Sequence, residues 1–149
     1  MNSQDLNISI RPLRSDDYDA ARALWRAVGL QAKLTGREAR EAFVAQLRQF
    51  PTTYLGAEVN GRLVGLVLGS HDHRKGWINR LTVDPAYQRR GLGSLLLEAC
   101  ERALRECGIE IIAALIEQGN EPSRRLFERC QYVADVPVHY YRKRFRSDI

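Results

Sequence analysis

Between Gln88 and Ser94 the chain reads Gln-Arg-Arg-Gly-Leu-Gly-Ser, a composition suited to holding an anion. It lies between an apolar strand ending at Val83 and an amphipathic stretch reaching Cys107, where a turn becomes a helix. A helix start leaves about four backbone N–H groups without intrahelical partners and carries a partial positive charge. Gly91 and Gly93 remove the side chains that would keep a ligand from those amides, and Arg89 and Arg90 can add charge-assisted hydrogen bonds. The chemistry this suggests is an anion cradle, best suited to a diphosphate.

Two familiar glycine loops fit the segment poorly. A P-loop requires Lys followed by Ser or Thr after its last glycine, whereas Ser94, Leu95 and Leu96 follow Gly93. A dinucleotide fingerprint would need a third glycine where Leu96 stands, and a tighter turn than the one from Val83 to Gly91. What remains is Gln88-x-x-Gly91-x-Gly93 behind a Val83-Asp84-Pro85 strand exit. This resembles the acetyl-CoA loop of the GNAT N-acetyltransferase superfamily. Asn120, Ser123, Leu126, Phe127 and Tyr132 resemble a further segment of that family, at the right distance downstream, so the likeness covers roughly residues 63–132.

The resemblance implies an acetyl-CoA-dependent N-acetyltransferase in which an amine attacks the acetyl group directly. It places the cofactor on the strand Leu81, Thr82, Val83, with pantetheine pairing to the backbone of Leu81 and Val83. The diphosphate would meet the amides of Gln88, Arg89, Arg90, Gly91, Leu92, Gly93 and Ser94. Asn120 would hydrogen-bond the cofactor, and it is equally suited to capping a helix. The Val83 amide is the family-like oxyanion donor. Glu117, close before Asn120, is the best-placed carboxylate for a general base, provided burial raises its pKa toward neutrality; the other reading is an exposed loop glutamate. The strand before the loop, where relatives often carry a carboxylate, has Asn79 and Arg80 instead. Phe127 occupies the position of a frequent tyrosine acid and could pack against the thioester arm. A thiol pKa near ~8.5 makes thiolate a tolerable leaving group without an acid, with Tyr132, Tyr140 and Tyr141 as other proton sources. An alternative is a module of the same fold that holds acyl-CoA without turnover.

These residues need a scaffold, and the sequence supplies one. Ile8 and Ile10 alternate with polar neighbours as a first strand. Ser15 and Asp16 can cap a helix with Ala21, Leu24, Trp25 and Val28 on one stripe, ended by Gly29. Thr35 and Glu38 have capping-box spacing before a second helix with Ala39, Phe43, Leu47 and Phe50 inward, stopped by Pro51. Strands 54–59 and 63–71 are joined by Asn60-Gly61, a hairpin signal. Leu92, Leu96, Ala99, Cys100, Ala103, Leu104 and Cys107 form the stripe of the long helix. Ile111 to Ile116 reads as a strand buried on both faces and parallel to the Trp77 strand. Pro122 opens a fourth helix carrying Ser123, Leu126, Phe127 and Cys130 on one face. Val136, Val138 and Tyr140 alternate as a closing strand. The expected order is β-α-α-β-β-β-α-β-α-β, a mixed α/β sheet, which the resemblance also implies, with the strands flanking the long helix splayed at the cofactor.

At 149 residues the chain has the size of one domain, 1–149, with room for a sizeable core. No apolar run approaches the ~18 residues of a membrane helix, and MNSQDLNISI has neither the basic start nor the apolar core of a signal peptide; the expectation is a soluble cytoplasmic protein. Three cysteines without C-x-x-C spacing read as reduced thiols, with Cys100 and Cys107 in the core. His71 and His73 flank Asp72 without a third ligand, so no metal site is expected. The net charge of +5 owes much to Arg142–Arg146 (RKRFR), leaving the remainder too balanced for a global nucleic-acid binder. That tail could steer a polyanion such as CoA, contact an acidic partner, or form a solvated edge. The acceptor half holds no specificity code: a protein or peptide amine, a polyamine and a small drug-like amine all fit, and a homodimer is compatible with the sequence.

Overall fold

The computed structural model of the protein describes residues 7–30 and 36–149. Its elements run β1 (Ile8–Pro12), α1 (Tyr18–Ala27), α2 (Arg40–Gln49), β2 (Tyr54–Val59), β3 (Arg62–His71), β4 (Gly76–Val83), α3 (Leu92–Glu106), β5 (Ile112–Ala114) and α4 (Glu121–Arg129). The strands form one sheet in the order β1-β2-β3-β4-β5, antiparallel as far as β4, with β5 parallel to β4. The Asn60-Gly61 hairpin is built as the sequence predicts, both residues taking the positive φ (50° and 76°) that such a turn demands.

The two faces of the sheet bury separate cores. Leu92, Leu96, Leu97, Cys100 and Leu104 of α3 pack with Val64, Val67 and Ile78 of the sheet, and Phe127 of α4 joins them. The other face carries Leu63, Leu66 and Leu68 of β3 against Ala21, Leu24 and Trp25 of α1 and Phe43 of α2. β3 supplies both cores, which explains why its run of apolar residues does not alternate with polar ones.

Five expectations need correction. No closing strand forms: residues 130–149 pair with no strand, and Val136, Val138, Tyr140 and Tyr141 are exposed. Of the sheet's two edge strands, β5 is only three residues long, and Pro137 has no N–H to donate; alternation alone cannot make a strand without a ladder to join. The 111–116 run is not buried on both faces, since its outer side lies at that edge, and Ile111 and Leu115 are each 57% exposed. Cys107 is not a core thiol: α3 ends at Glu106, which takes Cys107 off the helical stripe and leaves it exposed, while Cys100 is fully buried. Near the amino terminus, a 3-10 turn at Ser15–Asp17 precedes α1 and moves its cap to Asp17. In the capping-box expectation Thr35 lies outside the described residues, and the cap position of α2 is Ala39.

Candidate functional site

The turn from β4 into α3 is built around left-handed backbone. Asp84 caps a 3-10 turn at Pro85–Tyr87 by accepting from the Ala86 amide (2.9 Å), and Gln88 Nε2 clips the loop to the Val83 carbonyl (3.0 Å). Arg89 (φ 64°) and Gly91 (φ 83°) then take positive φ on either side of Arg90, whose guanidinium lies over the Tyr87 ring. Alternation of this kind turns successive N–H groups inward to one concavity, a nest for anions. Among the described residues, none of the amides from Arg89 to Ser94 has a hydrogen-bond partner, and the first bond of α3 is Leu95 N–H to the Gly91 carbonyl at 3.1 Å. Gly93 has a second role. A Cβ there would lie 3.0 Å from Leu126 Cδ2, so its bareness also lets α4 close on the start of α3.

β4 is irregular where it faces the site. Leu66 pairs with Thr82 but Leu68 with Asn79, so Arg80 and Leu81 oppose Val67 alone: a β-bulge, with Arg80 at φ 53°. The sequence Ile-Asn-Arg-Leu-Thr-Val gives no sign of it. β5 pairs with β4 only from Gly76↔Ile112 to Ile78↔Ala114, while β4 continues to Val83. Asp84 donates its amide to the Val64 carbonyl of β3 (2.8 Å), and amides alternate sides along a strand, so the Val83 N–H is directed away from β3. Thr82 itself is buried, its hydroxyl donating to the Arg80 carbonyl at 2.8 Å.

Beside this stretch lies a cavity of about 880 Å³. Asn79, Arg80 and Leu81 of β4 line it on one side, with Ala114 to Glu117, Asn120 and Phe127 adjoining. Trp25, Arg37, Glu38 and Gln46 face it from the α1 and α2 region, and Tyr140, Arg142 and Arg144 from the carboxyl-terminal tail. Glu38, which sequence reasoning spent on a cap, is buried here. Its Oε1 accepts from Arg80 (2.9 Å) and Arg37 (3.2 Å), and its carbonyl accepts from the Tyr18 hydroxyl (2.6 Å). The bulge brings Arg80 to that carboxylate and over the Trp25 ring. Trp25 Nε1 is buried with no hydrogen-bond partner among the described residues, an arrangement that costs about 1–3 kcal/mol unless an acceptor meets it.

The remaining sequence candidates separate. Glu117 lines the cavity but is exposed, without the burial that the general-base reading required. Asn120 caps α4, its side chain accepting from the Ser123 amide at 3.4 Å. Phe127 is buried and lines the cavity. Tyr132 packs edge-on against it and does not line the cavity; its hydroxyl donates to Glu101 on α3 at 3.0 Å. Burial first, and the bond to Glu101 second, raise the Tyr132 pKa. The His71 and His73 rings meet edge to face at 4.8 Å, and among the described residues no group of His, Cys, Asp or Glu could hold a metal. No helix among them is long and apolar enough to cross a membrane.

This arrangement has relatives. The pattern of the Acetyltransferase (GNAT) family matches residues 13–132. An acetyltransferase of Pectobacterium atrosepticum is 30% identical over 125 residues, covering 84% of this chain and 87% of its own length. An acetyltransferase of Salmonella typhimurium, solved with its cofactor acetyl-CoA, is 25% identical with a TM-score of 0.69, covering 85% of this chain and 79% of that one. The PaiA N-acetyltransferase of Thermoplasma acidophilum, solved with coenzyme A, shares the fold at a TM-score of 0.74 and 18% identity, over 84% of this chain and 89% of that one. A family pattern running from the end of β1 to Tyr132, through the loop and the helices α3 and α4 that follow it, establishes that this chain is an acetyltransferase of the GNAT family.

Proposed function

We propose that the protein transfers the acetyl group of acetyl-CoA to an amine by direct attack, at the cavity beside β4. The observation that carries this reading is the row of unpartnered amides from Arg89 to Ser94, held in a nest at the turn from β4 into α3. These amides, with Arg89 and Arg90, would hold the diphosphate. The edge of β4 beyond Ile78, where the pairing with β5 stops, would receive the pantetheine arm along Leu81 and Val83. Phe127 would pack on that arm, and Asn120 would add a hydrogen bond from the start of α4.

Acetyl-CoA supplies an activated acyl carbon: a C–N bond forms to the amine, the C–S bond breaks, and the amine gives up a proton. The Val83 N–H, directed away from β3, is the donor for charge developing on the carbonyl oxygen. Of the two cavity carboxylates, Glu38 is held by Arg80 and Arg37, while Glu117 has no ion-pair partner among the described residues. Glu117 is therefore the carboxylate left to take the proton, exposed and in exchange with solvent rather than buried. Phe127 has no proton to give and the Tyr132 hydroxyl is turned to Glu101, so the thiolate leaves unaided or draws its proton from Tyr140, which lines the cavity.

The test is a pair of melting curves. Acetyl-CoA at about a hundred times its Kd stabilises the native state by about 2.7 kcal/mol, which for a chain of this size raises Tm by roughly 5–10 °C. Gly91→Glu places charge and bulk in the nest and abolishes that shift. Gly91→Ala controls for folding, since it costs only roughly 1–2 kcal/mol in the left-handed conformation. A full shift in the Gly91→Glu protein means the diphosphate is held elsewhere.

A further inference from the structure

We infer that the acceptor is an amine bearing an anionic group of its own, a carboxylate or phosphate, which Arg142 and Arg144 of the carboxyl-terminal tail bind. This rests on the reading of the cavity as the place of transfer. Among the described residues, the charges lining the cavity are uneven: Arg37, Arg80, Arg142 and Arg144 against Glu38 and Glu117. One of those acids is already matched, because Glu38 accepts from both Arg80 and Arg37.

Arg142 and Arg144 have no carboxylate at ion-pair distance among the described residues, and the tail's own Asp148 is held by Arg146. Every second residue from Tyr140 to Arg144 lines the cavity, whereas Tyr141 and Lys143 do not. Ile149 lies against Gly36, so the tail ends beside Arg37. None of the residues from Gln88 to Ser94 lines this cavity, so these arginines are not part of that nest. Two guanidinium groups present planar donor pairs that match a carboxylate or phosphate. A polyamine would instead meet like charge, so one acceptor type that the sequence leaves open is disfavoured.

Calorimetric titration of the CoA-saturated protein tests this with matched probes: 4-aminobutyrate against butylamine, O-phosphoethanolamine against ethanolamine, and spermidine. The expected result is that one anionic probe binds at least about tenfold tighter than its uncharged twin and than spermidine, with the stronger arm telling carboxylate from phosphate. In the double variant Arg142→Gln/Arg144→Gln, that preference falls by about tenfold or more while CoA affinity is unchanged. The inference is overturned if neither anionic probe exceeds its twin, if spermidine binds best, or if the preference survives the double variant. Failure of CoA itself to bind would bring down the parent reading, whereas normal CoA binding without an anion preference removes only this one.

Discussion

Removing the Glu38 carboxylate takes from Arg80 an acceptor 2.9 Å away, and from Arg37 one at 3.2 Å, in a place where little water can substitute. The Glu38 and Arg80 side chains keep only 9% and 18% of their exposure. Exposed ion pairs contribute about 0–1 kcal/mol, and breaking a fully buried pair costs about 3–5 kcal/mol. This pair lies nearer the buried limit, so Glu38→Ala should destabilise by about 2–4 kcal/mol. Arg80 also holds positive φ in the bulge, a conformation that persists only when its surroundings fix it, and the ion pair is one such fixture. The assay is urea unfolding of wild type, Glu38→Ala, Arg80→Ala and the double variant, because the cycle isolates the pair from everything else each residue touches. We expect a coupling energy of about 1.5–3 kcal/mol, and weaker acceptor binding in both single variants because Arg80 lines the cavity. Strict additivity, within ~0.5 kcal/mol, would refute the argument that this pair anchors the bulge.

Three further outcomes follow from the same structure. Burial works against charge on Asp17, but hydrogen bonds from Arg11 (2.8 and 2.9 Å) and from the Arg14 amide (2.7 Å) outweigh it and hold its pKa below the usual carboxylate range. A depressed carboxylate pKa contributes stability above its unfolded value near ~3.9 that is lost as pH falls through the folded value. Equilibrium unfolding should therefore show an acid-side loss of stability that shrinks in Asp17→Asn; an identical pH dependence in that variant would contradict the account. Glu117→Gln should lower kcat by about 10²–10⁴-fold with little change in CoA binding, measured with any amine the enzyme turns over. Unchanged kcat would transfer the proton to another group. Cys107, exposed past the end of α3, should react with a thiol reagent in the native protein, while Cys100, fully buried with its pKa pushed up to about 12, should react only on unfolding; rapid native-state labelling of Cys100 would contradict its core placement.

The parts of this architecture that local chemistry determines were legible in the chain. Asn60-Gly61, the α3 stripe from Leu92 to Leu104 and the glycines at the start of α3 each follow from short-range geometry. The crossover through α3 then implied the parallel pairing of β5 with β4. What escaped was set by partners distant in sequence. The bulge at Arg80 arises from register against β3, and Glu38 becomes a buried ion-pair partner only when the turn before α2 meets β4. The alternation from Val136 to Tyr140 describes a segment able to pair, but a strand also needs an edge, and β5 ends after three residues. Likewise Glu117 followed from proximity to Asn120 in sequence, while its exposure depends on what packs around the end of β5.

The central claim is that the backbone amides from Arg89 to Ser94 grip the diphosphate of acetyl-CoA. The most direct measurement is an amide-resolved NMR titration of the isotope-labelled protein with CoA. The account predicts that the largest shifts fall on Arg89, Arg90, Gly91, Leu92, Gly93 and Ser94, moving together at one Kd, with smaller changes along Leu81 and Val83. Saturable CoA binding that leaves those six amides unmoved would contradict it.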